Sequence, residues 1–214
     1  MSSFHPKHPR ERLIVALDVP RASEALRLAE ELSGEVGLFK VGLELFCAEG
    51  PDLVKALSRH ARIFLDLKFL DIPNTVTGAL RSVLPLDPYF LTVHATGGMP
   101  MMKAVNELLQ AHRQQGGQTR SLAVTVLTSF DETEWKNVGQ THDTATSVLN
   151  LARLAQQSGM DGGCAHLEKR GNCVNISALL FIWYVLVFDP PAVTSATKSA
   201  FQILRRPSRL ALTT

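Results

Sequence analysis

The residues best suited to chemistry lie in one short segment, residues 66–75, which reads Asp-Leu-Lys-Phe-Leu-Asp-Ile-Pro-Asn-Thr. The segment follows an apolar run at residues 63–65, a pattern typical of a buried strand. Because side chains two residues apart in a strand point to the same face, Asp66 and Lys68 are predicted to project together. Asp71 adds a second carboxylate, so the segment predicts an ammonium group flanked by two carboxylates.

That grouping favours one kind of chemistry. Neighbouring carboxylates favour the charged form of Lys68, which suits a proton donor better than a Schiff-base amine. A fixed ammonium can stabilise a developing carbanion and then protonate it. A carboxylate close to a substrate carboxylate would repel it until carbon dioxide departs. The segment therefore points to cofactor-free decarboxylation through an anionic intermediate, although its spacing alone also fits a surface ion pair beside a turn.

The elements that must position this segment alternate along the chain. The predicted strands are Leu13–Asp18, Leu38–Gly42, Ile63–Lys68, Phe90–His94 and Leu122–Leu127. The predicted helices are Arg21–Leu32, Leu45–Ser58, Val76–Leu84, Met101–Gln114 and Thr146–Gln157. Residues 159–162 are typical of the approach to a sixth strand. Apolar strands separated by helices predict an α/β fold with a parallel sheet, either a (β/α)8 barrel or an open doubly wound sheet.

Polar residues follow most of the predicted strands, and no glycine-rich phosphate loop follows the first, which disfavours a dinucleotide-binding sheet. The polar residues in question are Asp18, Lys40, Asp66, Lys68, His94, Thr128 and Ser129. In a parallel barrel the carboxyl ends of the strands share one rim, where active sites are built. We therefore expect a catalytic rim rather than a chance series of polar strand ends.

Composition excludes several other classes of protein. The 214 residues are 45% hydrophobic, enough for one domain with a sizeable core. A formal charge of +2 gives no reason to expect nucleic acid or an acidic membrane as a partner. The apolar run at residues 176–188 is shorter than the roughly 20 residues that a membrane-spanning helix needs. Three cysteines without metal-type spacing suit a reducing cytoplasm, and the scattered histidines predict no metal site.

Five segments occur in an order and at a spacing that resemble one known family. They are Ala-Leu-Asp at 16–18, Phe-Lys-Val-Gly at 39–42, the segment 66–75, Val-His-Ala-Thr-Gly-Gly at 93–98 and Val-Thr-Val-Leu-Thr-Ser at 124–129. The family that they resemble is orotidine 5′-phosphate decarboxylase, and the resemblance covers about residues 12–163. It implies a (β/α)8-barrel homodimer that converts orotidine 5′-phosphate to uridine 5′-phosphate without metal or cofactor.

The resemblance also implies roles for single residues. Lys68 would be the proton donor, and Asp66 the carboxylate that presses on the leaving group. Asp71 and Thr75 would reach the site of the partner subunit. Four further residues would bind substrate. Asp18 and Lys40 would bind the ribose hydroxyls, and Thr128 and Ser129 would contact the pyrimidine. Leu70 departs from the polar residue, commonly His, that the family often has at this position.

The resemblance ends after Gly162, where the family's sixth strand, phosphate-gripping loop and closing strand are missing. We predict three parts: a flexible lead-in at residues 1–11, a barrel domain at 12–162 and a non-family tail at 163–214. Read in a shifted frame, codons for residues 172–187 can encode Leu-Arg-Gln-Tyr-Phe-Gly-Ser-Ala-Phe-Tyr-Leu-Val-Arg-Pro-Gly. These matches follow family order in one frame to the end of the chain. They predict a frameshift near residues 162–164 and a barrel that is incomplete after its fifth or sixth βα unit.

Two other interpretations remain open at this stage. The chain could be a non-catalytic barrel or interaction protein whose novel tail packs on the rim. It could also be a sister decarboxylase of another phosphorylated sugar acid, since related enzymes share the Asp-x-Lys-x-x-Asp core. Metal dependence would mark the sister enzyme, and an ordered, monodisperse chain without turnover would mark the interaction protein.

Overall fold

The computed structural model describes residues 8–164 and 184–187. Its strands are β1 Leu13–Ala16, β2 Leu38–Gly42, β3 Arg62–Phe69, β4 Phe90–His94, β5 Arg120–Val124, β6 Gly162–Cys164 and β7 Tyr184–Val187. Its helices are α1 Ala22–Glu31, α2 Leu43–Leu57, α3 Pro73–Val83, α4 Gly98–Gln114, α5 Glu132–Asn137 and α6 Thr144–Gln157. Short 3-10 helices occupy Pro9–Arg12, Leu84–Leu86 and Ala95–Gly97. Most of the predicted tail and the first seven residues lie outside the described residues.

The predicted alternation of strands and helices is confirmed, although several elements begin or end one to three residues from their predicted bounds and β7 forms within the predicted tail. β2 and β4 have the predicted bounds. β6 forms directly after the predicted approach to a sixth strand, so the prediction that the family's sixth strand is missing was wrong. β5 begins and ends earlier than predicted because its pairing with β4 sets its register, from Phe90 opposite Arg120 to His94 opposite Val124. The apolar residues that follow Val124 misled the prediction.

Helix α5 was not predicted, although its sequence carries a start signal. The Asp131 carboxylate accepts hydrogen bonds from the backbone N–H groups of Thr133 and Glu134, both at 2.8 Å. This is a standard N-cap, in which a side-chain oxygen satisfies N–H groups of the first turn. Trp135 of this helix is buried, and its indole N–H donates to Ser147 Oγ of α6 at 2.9 Å. A helix of six residues shows too little periodicity to be found by hydrophobic pattern alone.

The chain divides into two compact units, and the division falls within β3. In the first unit, β1 lies between β2 and β7 and is parallel to both. All four residues of β1 are buried, as expected for a parallel strand that is covered on both faces. Helices α1 and α2 bury one apolar face each, through Ala25 and Leu28 on the first and Val54 and Leu57 on the second.

In the second unit, the strands follow the order β3, β4, β5, β6. The β4–β5 and β5–β6 pairs are parallel. The core includes Leu91 and Val93 of β4 together with Met102 and Leu109 of α4, all fully buried. In this unit the strands run in chain order, without the reversal that an open doubly wound sheet requires. That order favours the barrel type of sheet.

Helix α2 is bent where Gly50 precedes Pro51. Gly50 has φ 70°, a left-handed conformation that is strained for residues with a Cβ atom, and Pro51 lacks the N–H that a continuous helix would use. The sequence predicted one helix here, and the pattern of its apolar face indeed continues across the bend.

Asp87 ties the loop before β4 to the loop before β5. Its carboxylate accepts hydrogen bonds from the Gln118 backbone N–H and His112 Nε2, both at 3.0 Å, and from Thr119 Oγ1 at 3.3 Å. Burial by itself would raise the pKa of Asp87, but the hydrogen bonds from Gln118 and His112 outweigh it and lower the pKa below the ordinary 3.8. The residue has φ 44°, a left-handed conformation that Asp and Asn tolerate better than most residues.

We expect Asp87→Asn to lower the free energy of unfolding at pH 7 by about 1 kcal/mol, a value discounted for partial exposure. Asparagine keeps the left-handed backbone and loses the charge. A carboxyl group whose pKa is lowered on folding stabilises above its unfolded pKa and stops doing so as the pH falls through its folded value. The difference between the two proteins should therefore shrink below pH 3.8.

Urea unfolding at a series of pH values from about 7 to about 2 measures this difference, because such a range extends below the lowered pKa of Asp87. Asp52→Asn is the matched control because Asp52 is 89% exposed and pairs only with Lys55 of the same helix among the described residues. A pH-independent difference, or an equal loss in the control, would contradict the role assigned to the charge of Asp87.

No helix among the described residues is long and apolar enough to cross a membrane.

Candidate active site

Asp66 and Lys68 project from the same face of β3 near its carboxyl end, as the two-residue spacing predicted. Lys68 Nζ donates a hydrogen bond to Asp66 Oδ2 at 2.8 Å. The lysine side chain is 40% exposed, whereas the aspartate side chain is 13% exposed and largely covered. The lysine is therefore accessible to a ligand and is paired with a largely buried carboxylate.

The backbone of Lys68 has an unusual conformation. Its φ is 50°, in the left-handed region that few residues other than glycine adopt. Such strain persists only where surrounding contacts hold it, and it occurs often at functional sites. The Lys68 backbone N–H donates to Thr92 Oγ1 of β4 at 2.9 Å, and the same hydroxyl donates to Asp66 Oδ1, also at 2.9 Å.

Sequence reasoning missed Thr92. The available signal was a hydroxyl residue inside the otherwise apolar start of β4, two residues before His94 and hence on the same face. Thr92 is 1% exposed, so its hydroxyl has no role toward water. Nothing in the sequence indicates that this hydroxyl contacts Asp66, which lies 26 residues earlier.

His94 is half-buried at the end of β4. Burial and then the positive charge of Lys68 lower the pKa of His94 below its ordinary 6.5, while the charge of Asp66 opposes them. The imidazole is therefore neutral at pH 7. A neutral imidazole can still donate one hydrogen bond and accept another.

Cys164 ends β6 on the same side of the second unit. Burial, and then the negative charge of Asp66, raise the pKa of the Cys164 thiol to about 11, while Lys68 opposes the shift. The thiol is protonated at neutral pH, and a protonated thiol is a poor nucleophile. The site is thus unsuited to cysteine chemistry.

Two predicted substrate-binding residues meet in the first unit. Lys40 Nζ of β2 donates to Asp18 Oδ1, just beyond the end of β1, at 3.0 Å. The lysine side chain is 12% exposed and the aspartate 44%. This pairing of a cation and an anion presents both a hydrogen-bond donor and an acceptor, which is the combination that binds vicinal hydroxyl groups.

The other predicted site residues are exposed in the second unit. Thr75 is in the first turn of α3, and Thr128 and Ser129 follow β5. The Asp71 carboxylate accepts a hydrogen bond from the Ile72 backbone N–H at 2.6 Å. Among the described residues, Asp71 makes no ion pair with Lys68, so the flanking of Lys68 by two carboxylates does not occur within one chain.

Comparison with known proteins identifies the class to which this fold and site belong. Residues 11–176 match the orotidine 5′-phosphate decarboxylase / HUMPS family. The chain belongs to this family, and its predicted α/β fold, a (β/α)8 barrel with six of its successive strands described here, is confirmed. The family match extends past Gly162, where the resemblance was predicted to end.

Two individual relatives are similar to most of this chain. The chain is 49% identical over 152 residues to a protein of Alkalilimnicola ehrlichii and 49% identical over 155 residues to one of Anaeromyxobacter, both named orotidine 5′-phosphate decarboxylase. These alignments cover 71% and 72% of this chain but 63% and 66% of the relatives, so the chain spans just under two thirds of their length.

Solved structures agree. The crystal structure of orotidine 5′-phosphate decarboxylase from Lactobacillus acidophilus is 32% identical with a TM-score of 0.72, covering 88% of this chain and 98% of that one. An uncharacterized conserved protein from Geobacillus kaustophilus is 39% identical with a TM-score of 0.67, covering 71% and 72%.

Proposed function

We propose that the protein is an orotidine 5′-phosphate decarboxylase, a cofactor-free carboxy-lyase of pyrimidine biosynthesis that forms uridine 5′-phosphate. The observation that carries this proposal is the Lys68–Asp66 pair, with its 2.8 Å contact and an ammonium exposed enough to meet a ligand. The names of the 49% identical relatives support the choice of orotidine 5′-phosphate as substrate.

In the proposed reaction, the bond between pyrimidine C6 and the carboxylate breaks and carbon dioxide leaves. The electron pair remains on C6, and the Lys68 ammonium stabilises this carbanion through its positive charge. A proton then moves from Nζ to C6, and the neutral amine takes up a proton from water. Asp66 faces the departing carboxylate and holds the ammonium in line with C6.

Substrate binding is assigned to residues other than this pair. Lys40 and Asp18 would hold the ribose hydroxyls, which their 3.0 Å pairing of donor and acceptor supports. Thr128 and Ser129 would contact the pyrimidine, since both are exposed hydroxyl groups. These assignments make the remote parts of the nucleotide contribute binding energy to the transition state.

Orotidine 5′-phosphate supplied to the purified protein, with the residues after Gly162 restored to the shifted frame, tests the activity, with uridine 5′-phosphate measured by chromatography. We expect conversion that is unchanged by a metal chelator. A sister decarboxylase would instead leave orotidine 5′-phosphate intact, and its activity on a phosphorylated sugar acid would be lost with the chelator.

We further propose a homodimer in which Asp71 and Thr75 complete the partner's site. Leu70 is 53% exposed and Ile72 is 66% exposed on either side of Asp71. Exposed apolar residues beside a polar functional residue are typical of a surface that another subunit covers. Leu70 replaces the polar residue often found in the family, and an apolar side chain suits such a contact.

Subunit mixing tests this arrangement. Lys68→Ala and Asp71→Ala proteins, each inactive alone, should regain about a quarter of the wild-type activity when dissociated and reassembled together, because half of the dimers carry one intact site. No recovery, in a mixture shown to contain mixed dimers, would mean that Asp71 serves its own subunit.

We also propose that the protein acts in the cytoplasm, which the spacing of the three cysteines supports. The residues that follow Gly162 are proposed to arise from one frameshift near residues 162–164, on the strength of the family-like reading in the shifted frame. Genomic sequence across this region tests the frameshift directly, since an unbroken printed frame without the alternative reading would exclude it.

A further inference from the structure

We propose that Thr92 is a positioning residue that holds Lys68 and Asp66 in the geometry required for proton transfer. The catalytic part of this inference rests on the proposed function. The structural part does not, because it concerns only hydrogen bonds among three residues of β3 and β4. Thr92 has no role in the binding of substrate, since it is 1% exposed.

The direction of each hydrogen bond follows from chemistry. A hydroxyl group has one proton and can also accept, whereas a backbone N–H can only donate. Since the Lys68 N–H points at Thr92 Oγ1, the Thr92 proton is left for Asp66 Oδ1. The other oxygen of Asp66 accepts from Lys68 Nζ. These three hydrogen bonds form a closed ring that joins the backbone of Lys68 to its own ammonium group.

The ring explains how Lys68 keeps its left-handed backbone. A strand residue ordinarily donates its N–H to a carbonyl group of the neighbouring strand. At φ 50°, Lys68 leaves this pattern, and Thr92 Oγ1 supplies the acceptor instead. A buried N–H group without a partner is unfavourable, so removal of the hydroxyl removes one reason for the backbone to stay in this strained conformation.

Proton transfer is sensitive to this geometry. A displacement of about 1 Å can lower a rate by about a hundredfold, because the reacting atoms must be close and aligned. With one carboxylate oxygen held by Thr92, Asp66 offers the other to the ammonium in one orientation. Without Thr92, the carboxylate loses this constraint on its orientation and the lysine backbone can relax, so Nζ moves relative to the substrate.

The test compares Thr92→Val, Thr92→Ala and Thr92→Ser with Thr119→Val, in the 214-residue chain and in its frame-restored form. Valine has the shape of threonine but lacks the hydroxyl. Alanine also lacks the hydroxyl and places no additional methyl group near Asp66. Serine keeps the hydroxyl. Thr119 is the matched control because it is fully buried and its hydroxyl also donates to a carboxylate, that of Asp87 at 3.3 Å, at the opposite end of β5.

We expect kcat for orotidine 5′-phosphate to fall about a hundredfold in Thr92→Val and Thr92→Ala, with KM changed by less than about threefold. Thr92→Ser should recover to within about fivefold of wild type, and Thr119→Val should remain within about twofold. A general loss of folded protein would lower the apparent kcat without changing KM, but it would affect Thr119→Val as well, so the control variant separates it from a positioning effect. A kcat within about threefold of wild type in Thr92→Val, or no recovery with serine, would overturn the proposal.

Crystal structures of the same variants give an answer that does not need turnover. In Thr92→Val and Thr92→Ala we expect Lys68 to leave the left-handed region or its Nζ to separate from Asp66, while both features persist with serine and in Thr119→Val. Unchanged Lys68 and Asp66 geometry in both hydroxyl-free variants would refute the positioning role. If the frame-restored wild type does not convert orotidine 5′-phosphate, the proposed function fails while these structures still decide the role of Thr92.

Discussion

Replacement of Lys68 by alanine is expected to lower kcat for orotidine 5′-phosphate decarboxylation by about 10⁴-fold in the protein form that is active. The substitution removes the proton donor, a loss worth up to about 10⁴-fold for general acid catalysis, and also the cation that stabilises the carbanion. KM should change much less, because ribose and pyrimidine contacts are assigned to other residues. Conversion measured by formation of uridine 5′-phosphate gives both constants.

The fold should survive this substitution. The Lys68 side chain is 40% exposed, so its removal opens no cavity in the core, and Asp66 keeps its hydrogen bond from Thr92. Lys55→Ala is the matched control, since Lys55 forms a 3.0 Å pair with Asp52 on the exposed surface of α2. The control should retain full activity. A Lys68→Ala protein with more than about a tenth of wild-type activity would exclude Lys68 as the proton donor.

The second large effect is expected from the frame of the residues that follow Gly162. The frame-restored protein should convert orotidine 5′-phosphate, whereas the 214-residue chain should show kcat/KM lower by at least about 10³-fold or no conversion, or should be poorly folded. The family resemblance implies that the restored segment supplies the Arg and Gln that grip the phosphate. Binding energy from a remote phosphate contributes to the transition state, so its loss lowers the rate of the chemical step.

The comparison needs one further protein to be decisive. The frame-restored protein carrying Lys68→Ala controls for contaminating enzyme, because it should be as inactive as the 214-residue chain. The 214-residue chain could instead be as active as the restored protein and lose that activity with Lys68→Ala. In that case the tail would be sufficient for function, and the prediction that the frameshift abolishes activity would be wrong. Size-exclusion chromatography of both forms separates a misfolded chain from a folded but inactive one.

Much of the fold was accessible from the sequence, for identifiable reasons. β2 and β4 were predicted at their observed bounds because each is a short, mostly apolar run whose end is marked, by Gly42 in β2 and by His94 in β4. β5 was displaced because apolar residues continue beyond the strand, and only pairing with β4 decides where the ladder stops. α5 was missed because six residues carry no period, although Asp131 marks its start.

The sequence by itself determined that Asp66 and Lys68 share a face, since a strand repeats every two residues whatever surrounds it. It likewise determined the motifs by which the chain belongs to its family. The tertiary structure alone decided that Lys68 has a left-handed backbone and that Thr92 joins it to Asp66. These features depend on how β3 lies against β4, and a period of two leaves the register between strands open. The chemistry of this site could therefore be predicted from one segment of the sequence, whereas its geometry depends on the neighbouring strand and could not be predicted.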